Sequence, residues 1–367
     1  MNGVTMRQAW RVARQANHRA GESEMNTTAS VIGLDIAKNV FVAMGRDVRG
    51  KPVWKKTLAR DGVLAFFANL PPTPVGIEAC SGSHYWARQL LAMGHDVKLI
   101  AAQHTRAYVT GNKNDANDAA AIAEARSRAA TKYVAVNTEA QQDLQMLHRA
   151  RQALVEGKTA MVCRIRAFAH EYGKVFPLGV AKFRAGLALW LADGDNGLSA
   201  MALETFRDPV AQLDDKETRL QAYEHRLAES ARANEASKRL LAVPGIGIIT
   251  ATAILATVAD PRDFKQGRDL SANLGLAPRE HSSGGKQRLL GITKRGDRYL
   301  RTLLIHGARS ALRCADGKEG RILRWARGLA ERRGFNVAAT ALANKLARIA
   351  WAMLAHGREY QPNHGAA

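Results

Sequence analysis

Four acidic residues in the first third of the chain could together hold a divalent cation. They are Asp35, Glu78, Asp115 and Asp118. Two like charges about 4 Å apart repel by ~4 kcal/mol at an effective dielectric constant of about 20, so cations stabilise such a cluster. Oxygen ligands suit Mg²⁺ or Mn²⁺, and two such ions ~3.5–4 Å apart serve phosphoryl transfer. The chemistry that these residues could do is metal-dependent cleavage and transfer of phosphodiesters.

Each of these acids also has a purely structural explanation. Asp35 could be a turn residue at the end of a strand, and Glu78 could be an isolated surface acid. Asp115 and Asp118, three residues apart and therefore on one helix face, could cap a helix and interact with its dipole. Only the joint placement of the four acids favours a metal site.

The elements around the acids follow the order of a ribonuclease-H-like α/β domain. Apolar runs and alternation predict three meander strands, and then helix, strand, helix, strand, helix. The predicted strands are residues 31–35, 41–44, 53–58, 75–78 and 97–100, and the predicted helices are residues 63–70, 84–93 and one from Asp115. Several all-parallel α/β folds share the second half of this order, so the order alone does not exclude them.

Two segments in the middle of the chain carry apolar residues every seven positions. The spacing predicts a long helix over residues 138–172 and a second helical segment after a turn at residues 193–197. Such seams indicate a helical hairpin or coiled coil, although an ordinary helix bundle also fits three or four repeats. The repeating residues are Leu147, Leu154, Met161 and Phe168, and then Leu213, Leu220 and Leu227.

The last third of the sequence is helical and basic. Pro244-Gly245-Ile246-Gly247, between apolar stretches, is typical of a helix-hairpin-helix turn, in which Gly245 and Gly247 let backbone N–H groups approach a phosphate. A plain turn between helices would have the same pattern. Asn336 is a plausible N-cap for a closing helix that runs to about Leu354.

Residues 279–301 are predicted to form a loop rich in glycine and cations, suited to a phosphodiester. Ser282 and Ser283 lie in it, and serines in such loops are most often turn formers. A serine nucleophile needs a base or a metal, and no residue nearby in sequence is an obvious base. The candidate phosphate-binding cations are Lys286, Arg288, Lys294, Arg295, Arg298 and Arg301.

The composition points to a polyanionic partner. The 367 residues include 54 Lys and Arg against 33 acids, a formal charge of +21, which favours nucleic acid over a merely basic surface because the charges cluster. Aromatic residues make up 6%, so extensive base stacking is not indicated. Three distant cysteines, Cys80, Cys163 and Cys314, fit a reducing cytoplasm, and no apolar run approaches the ~20 residues of a membrane span.

Residues 1–29 form a basic extension. Arg7, Arg11, Arg14 and Arg19 lie in a segment that lacks the apolar core of a secretory signal. It could be a disordered basic arm, or Met25 could be the working start.

Several ordered motifs resemble one known family, the DEDD-type transposases of the bridge-RNA-guided insertion-sequence family called "IS one-ten". The resemblance rests on the three acidic blocks at residues 33–38, 76–82 and 112–119, on Pro244-Gly245-Ile246-Gly247, and on residues 275–300. It covers nearly the whole chain from about residue 30 to 355. It implies a RuvC-like catalytic domain at residues 30–136, a helical coiled-coil insertion at 137–238, and a helical transposase domain with the helix-hairpin-helix at 239–360.

The resemblance also implies site residues and partners. Asp35, Glu78, Asp115 and Asp118 would be catalytic ligands of Mg²⁺ or Mn²⁺, and Ser283, the serine just before the glycine, would attack DNA and link to it covalently. Ser282 is the neighbouring alternative. The expected partners are DNA, a structured guide RNA and further copies of the chain in a dimer or tetramer. The expected location is the bacterial cytoplasm, at the nucleoid during activity.

Two other functions fit the same residues. A RuvC-like junction-resolving nuclease would use the four acids with water and would need no serine. A non-catalytic nucleic-acid scaffold would keep the charge and the helix-hairpin-helix but would tolerate loss of the acids.

Overall fold

A computed structural model describes residues 29–112, 114–314 and 320–362. The basic extension therefore lies outside the described residues except for Ala29. The chain divides into two compact units, of which the first ends at Asn137 and the second begins at Thr138. The long helices and the C-terminal helices thus belong to the same unit, and the boundary predicted between residues 238 and 239 stays a prediction.

The first unit is built on a six-stranded sheet with the order β3-β2-β1-β4-β5-β6. Strands β1, β4 and β5 are parallel, whereas β2, β3 and β6 pair antiparallel to their neighbours. The strands are β1 (Val31–Asp35), β2 (Val40–Arg46), β3 (Pro52–Ala59), β4 (Pro74–Glu78), β5 (Asp96–Ile100) and β6 (Tyr133–Val134). A meander followed by parallel strands is the ribonuclease-H-like topology that the apolar patterns predicted, with β6 as an additional edge strand.

Four helices accompany this sheet: α1 (Val63–Ala68), α2 (Ser83–Ala92), α3 (Ala102–Thr105) and α4 (Asp115–Ser127). Short 3₁₀ turns lie at Arg60–Gly62 and Arg106–Tyr108. Buried residues of β1, β2, β4, β5, α1 and α2 form the main core, in which the rings of Phe41 and Trp86 meet edge to face with centroids 4.9 Å apart. Helix α4 packs against β1, β2 and β4.

The sheet and α4 approach each other to backbone contact. A Cβ atom at Gly33 would lie 2.1 Å from the carbonyl oxygen of Ala119, and one at Gly76 would lie 2.9 Å from Cβ of Arg126. No side chain fits at either position without moving the helix, since real contacts of this kind are longer than 3.0 Å. These two glycines therefore set how close α4 comes to the strand ends.

The second unit begins with two long antiparallel helices, α5 (Glu139–Glu171) and α7 (Ala200–Ala233), joined through α6 (Val180–Ala192). Their direction follows from ion pairs between Arg151 and Glu224, at 2.7 Å, and between Lys158 and Glu217, at 3.0 Å. A capping box between Thr138 and Gln141 begins α5. The prediction of a long helix over residues 138–172 is confirmed, whereas α6 was not predicted.

The seven-residue seam holds only over part of the pair. Met161, Leu213 and Leu227 are buried, but Phe168 is 40% exposed. A straight α-helix turns every 3.6 residues, so a strict seven-residue stripe drifts around it. Near Phe168 the core is instead formed with α6, through Phe183, Trp190 and other buried side chains. A regular coiled coil stays a prediction.

In the described part of the second unit, six further helices and a hairpin follow. The helices are α8 (Glu235–Leu241), α9 (Ile248–Thr257), α10 (Gly267–Asn273), α11 (Arg298–Arg313), α12 (Arg321–Arg333) and α13 (Phe335–His356), with a 3₁₀ turn at Pro261–Asp263. Helix α13 packs against α11, α12 and α10. Buried leucines and alanines of these helices form one core.

The prediction of Asn336 as an N-cap is wrong. The N-cap of α13 is Gly334, whose φ of +86° turns the chain sharply after α12. Asn336 lies inside the first turn, where its Oδ1 accepts a hydrogen bond from Arg309 at 2.5 Å. Its side chain is therefore used between helices and not as a cap.

Candidate active site

Strands β1 and β4 carry Asp35 and Glu78 to the same edge of the sheet. The parallel register pairs Gly33 with Gly76 and Leu34 with Ile77. The next-but-one residues after the glycines are the two acids, which end their strands. Two carboxylates therefore lie side by side at the carboxyl ends of neighbouring strands.

The first turn of α4 supplies the other two acids. Asn114 caps the helix by accepting a hydrogen bond from the backbone N–H of Asn117 at 2.8 Å. Asp115 and Asp118 lie in the turn that this cap starts. Because Ala119 lies against Gly33, the beginning of α4 is held close to the end of β1.

The electrostatics of Asp35 reflect this arrangement. Its pKa is raised to about 6, first by burial and then by the charges of Asp118, Asp115 and Glu78, in that order. A hydrogen bond from the backbone of Ile36 opposes the rise. Like charges raise a carboxyl pKa only when they are near. The other three predicted acids are therefore near enough to Asp35 for their charges to act on its ionisation.

Thr105, at the end of α3, orients Glu78. Its hydroxyl donates to Oε2 of Glu78 at 2.5 Å, and the side chain is buried. Cys80 also lies near the acids. Burial, and then the charges of Glu78 and Asp35, raise the pKa of its thiol. Sequence reasoning missed Thr105, since nothing in the residues around it marks a partner 27 positions earlier.

The donor set has the chemistry of a divalent-cation site. Four carboxylates supply oxygen ligands alone, as Mg²⁺ and Mn²⁺ prefer. A bound cation would also reduce the repulsion between the carboxylate charges. Among residues 29–112, 114–314 and 320–362, no group of three or more His, Cys, Asp or Glu side chains is arranged to hold a metal ion. The set fits a divalent ion in ligand type.

The predicted serine loop is a β-hairpin. Strands β7 (Pro278–Glu280) and β8 (Leu289–Ile292) pair antiparallel, and a bridge joins Ser283 and Lys286. Gly284 and Gly285 both have positive φ, +54° and +76°, which is the requirement of a type I′ hairpin turn. The first part of the loop predicted at residues 279–301 is therefore a hairpin, whose tight turn the two glycines close.

The hairpin presents its two serines on opposite faces, since successive side chains of a strand alternate. Ser282 Oγ donates to Oε1 of Glu280 at 2.6 Å, and Gln287 reaches the same oxygen at 3.5 Å. The other face carries Ser283 with His281, Lys286 and Arg288. Ser282 therefore has a carboxylate partner that the sequence did not reveal, whereas Ser283 lies on the cationic face.

The remaining predicted cations divide into two groups. Lys286, Arg288, Lys294, Arg295 and Arg298 are exposed. Arg301 is 8% exposed, and its guanidinium donates to the carbonyls of Leu274 at 3.0 Å and Arg295 at 2.8 Å. The structure thus gives Arg301 a structural role in place of the predicted contact with nucleic acid.

The turn at Pro244-Gly245-Ile246-Gly247 joins α8 to α9. Gly245 has a φ of +91° and packs on α11, where a Cβ atom at Gly307 would lie 1.9 Å from the carbonyl oxygen of Gly245. Gly247 is exposed, is the N-cap of α9 and has nothing within 4 Å of its own Cβ position. Gly245 is therefore needed for helix packing, and Gly247 leaves the start of α9 open.

A ribonuclease-H-like sheet with acids at the carboxyl ends of its strands is typical of enzymes that act on phosphodiesters. The model of a family described as a DEDD-type IS110 transposase matches residues 32–173. A second model, described as the transposase IS116/IS110/IS902 family, matches residues 237–321.

Curated relatives agree with both matches. A probable family 20 transposase of Pseudomonas aeruginosa is 46% identical over 91% of this chain and 99% of its own length. The transposase of insertion sequence element IS1111A from Coxiella burnetii is 41% identical over 98% of both chains. That of IS1328 from Yersinia enterocolitica is 37% identical over 89% of this chain and 97% of its own.

The chain therefore belongs to the IS110 family of transposases. It is a DNA transposase, an enzyme of transposition, which confirms the family predicted from the acidic blocks and favours it over a junction-resolving nuclease or a scaffold. DEDD transposases generally use a divalent metal. Among the described residues no helix is long and apolar enough to cross a bilayer.

Proposed function

We propose that Asp35, Glu78, Asp115 and Asp118 form the centre at which this transposase cleaves and exchanges DNA strands. The observations that support the proposal are the pairing of β1 with β4, which carries Asp35 and Glu78 to one edge of the sheet, and the contact of Ala119 with Gly33, which holds the start of α4 beside them. The pKa of Asp35 agrees with this geometry, because burial and then the charges of the other three acids raise it. Carboxylates that lie close together repel one another when they ionise, and a bound cation reduces this repulsion. A divalent ion held by these carboxylates would neutralise charge on the phosphate oxygens and lower the pKa of an attacking hydroxyl.

Ser283 is the proposed nucleophile. Its Oγ attacks the phosphorus of a phosphodiester and loses its proton, and the bond to one strand oxygen breaks, so that this strand leaves with a hydroxyl. The phosphoserine ester conserves the energy of the broken bond. A hydroxyl of another strand then attacks the same phosphorus and returns the serine to its free form.

Two observations support Ser283 over Ser282. One is the family resemblance, which implies that the nucleophile is the serine directly before the glycine of the turn. Ser283 also shares the hairpin face of Lys286 and Arg288, and both are exposed and suited to phosphate. One observation favours Ser282, because Glu280 accepts its hydroxyl hydrogen bond and could act as a base.

Duplex DNA would be held by surfaces that are blind to sequence. The open N-terminus of α9 at Gly247 offers backbone N–H groups to a phosphate. The exposed cations around the hairpin, Lys286, Arg288, Lys294, Arg295 and Arg298, add phosphate contacts. Gly245 contributes by holding the turn against α11.

A structured guide RNA and self-association belong to the same proposal. The formal charge of +21 supports a second polyanion, and the antiparallel pair α5 and α7 offers a helical surface for another copy. Sequencing of RNA that copurifies with the protein from its host tests the guide. Reads that map to the DNA beside its own gene are expected, and a random cellular pool would contradict RNA guidance.

A denaturing gel with end-labelled DNA of the element tests the nucleophile. With Mg²⁺ the wild-type protein is expected to form a covalent adduct, and Ser283→Ala is expected to lose it. Ser282→Ala is the matched control and should keep the adduct. Adduct in Ser283→Ala but not in Ser282→Ala would move the role to Ser282, and cleavage without any adduct would indicate attack by water.

The same substrate tests the acids. Asp35→Ala and Asp118→Ala are expected to abolish strand transfer while DNA binding survives. Asp61→Asn, an exposed acid of the same unit, is the control and should leave strand transfer unchanged. Full activity in either alanine variant would refute the carboxylate centre.

A further inference from the structure

An open groove of about 1410 Å³ lies in the second unit. Its walls are the start of α10, the helices α12 and α13, and the segment that follows α13 as far as Pro362. Small-molecule sites are usually ~300–1,000 Å³. The groove is therefore large enough for a segment of a polymer.

Positive charge dominates the groove. Only one carboxylate, that of Glu359, lies among its described lining residues. No ion pair between a described carboxylate and any of the lining cations is present. The cations are Arg268, Arg321, Lys345, Arg348 and Arg358. An anionic ligand would find these guanidinium and ammonium groups uncommitted to acids in the described part of the chain.

The pKa of Lys345 is affected by its burial and by the neighbouring cations. Burial lowers its pKa, and the charges of Arg348 and Arg321 lower it further. Its Nζ lies 3.8 Å from the ring centroid of Trp325, which compensates part of the burial through a cation–π contact. A phosphate in the groove would offset the repulsion among the three cations.

Aromatic rings line the same groove. Trp325, Trp351 and Tyr360 are half-buried, so each has accessible surface. The indole N–H of Trp351 donates to the carbonyl oxygen of Pro261 at 2.8 Å, which fixes the ring. Fixed aromatic surfaces beside cations are the combination by which proteins hold unpaired bases and their backbone together.

We propose that this groove binds single-stranded nucleic acid, with phosphates on its arginines and bases against Trp325, Trp351 or Tyr360. Duplex DNA fits less well because its bases are stacked and hide their faces. An acidic peptide would satisfy the cations but would make no use of the rings. The inference does not depend on the carboxylate chemistry, and none of the lining residues belongs to the hairpin.

Photocross-linking locates the contact directly. Twelve-residue single strands that carry 5-iodouracil, one of DNA and one of RNA, are irradiated with the full chain, and the cross-linked peptides are identified by mass spectrometry. We expect cross-links at Trp325, Trp351 or Tyr360, and the two strands tell which sugar the groove prefers. The same cross-links are expected in Asp35→Ala protein, so a failure of the proposed catalysis leaves this test readable.

Binding of the labelled strands to variants gives the second measurement. Arg268→Glu with Arg358→Glu, both exposed and safe for folding, is expected to weaken binding at least about 10-fold and to reduce the salt slope by about 1.4, since each lost contact to a single strand contributes ~0.7. Trp325→Leu is expected to weaken it about 5- to 100-fold. Lys174→Glu with Lys182→Glu, both exposed and outside the groove, is the matched control and should bind as the wild type.

Three results would overturn the inference. Cross-links only outside the groove would place the strand elsewhere. Equal affinity of the groove variants and the control would show that the arginines make no contact. Displacement of the strand by poly-glutamate of equal length, as effective as by unlabelled strand, would indicate an acidic protein partner.

Discussion

At the scale of single residues, the site depends on where each carboxylate sits and on what surrounds it. Asp35 is opposed by three other acids, and Glu78 is oriented by Thr105. The acids could be predicted from their types and from the strands and helix that carry them. Thr105 and the Glu280 partner of Ser282 could not, because a single hydroxyl or carboxylate carries no periodic signal and gains its role only through contacts.

Asp35→Asn is expected to stabilise the metal-free protein at pH 7. The folded pKa of Asp35 is raised from 3.8 to about 6, so its stabilising contribution is complete below pH 3.8 and is lost as the pH rises through 6. At pH 7 the charged form costs about 1–2 kcal/mol after allowance for solvent screening. Thermal unfolding in EDTA measures the gain, and Asp61→Asn is the control.

Mg²⁺ should raise the melting temperature of the wild type at pH 7 and have a smaller effect on Asp35→Asn. A destabilised Asp35→Asn protein in EDTA would contradict the repulsion. An equal response of both proteins to Mg²⁺ would place the ion elsewhere.

Thr105→Val tests a positioning residue. Loss of its hydroxyl leaves Glu78 without the donor to Oε2, and partners that orient metal ligands typically contribute about 10- to 100-fold. We expect strand transfer to fall by about 10-fold and the Mg²⁺ concentration for half-maximal activity to rise. Thr105→Ser should restore both. A lower rate with an unchanged Mg²⁺ requirement would indicate a structural effect alone.

At the scale of elements, close approaches at glycine and shared polar contacts hold the parts in place. Gly33 and Gly76 let α4 lie on the sheet, and Gly245 lets a turn lie on α11. In the second unit, His148 of α5 bonds Tyr299 of α11 at 3.0 Å and Thr252 of α9 at 3.1 Å. Such links join helices that are far apart in sequence.

His148 is expected to make the second unit sensitive to acid. Its pKa is lowered to about 4, mainly by burial and then by Arg151. Stability is therefore complete above pH 6.5 and falls as the pH drops from 6.5 towards 4, by at most about 3 kcal/mol. Urea unfolding of the wild type and His148→Gln at pH 7 and pH 4.5 measures the difference.

The variant should lose less stability than the wild type over this range, since glutamine does not titrate. The exposed His225 of α7 provides the control His225→Gln, which should behave as the wild type. Equal pH dependence of wild type and His148→Gln would contradict a buried neutral imidazole.

Elements with long regular patterns were predictable, and those made by turns or edges were not. The order of β1 to β5 and the extent of α5 agree with the apolar patterns. Strand β6 has only two residues, too few for a pattern. The hairpin had a readable signal in Gly284-Gly285, because two adjacent glycines permit the positive φ values of a tight hairpin turn.

At the scale of the whole molecule, the formal charge of +21 includes two groups of cations in the second unit, one around the hairpin and one in the groove. We propose that the exposed cations around the hairpin bind duplex DNA, and that the cations of the open groove lined by α10, α12 and α13 bind single strands. The low aromatic content predicted little base stacking, yet composition averages over the chain and hides three rings that one groove brings together.

Binding of duplex DNA should depend steeply on salt. Contacts to 6–10 phosphates predict a loss of ~10³–10⁵ in affinity between 50 and 200 mM salt. Lys286→Ala with Arg288→Ala is expected to lower the slope of log K against log salt by about 2. Fluorescence anisotropy measures it, with Lys182→Ala as an exposed control. A weak dependence in the wild type would count against the cationic surface.

The type I′ turn of the hairpin has a consequence for which hydroxyl the protein offers to DNA. Because the pairing register fixes the face of every side chain, one extra residue between Glu280 and the turn would exchange the two serines if the pairing of Glu280 with Leu289 is kept. The cationic side would then carry the hydroxyl that now bonds Glu280. A single-codon insertion at this tip should therefore harm transposition more than a substitution of an exposed hairpin residue other than the serines.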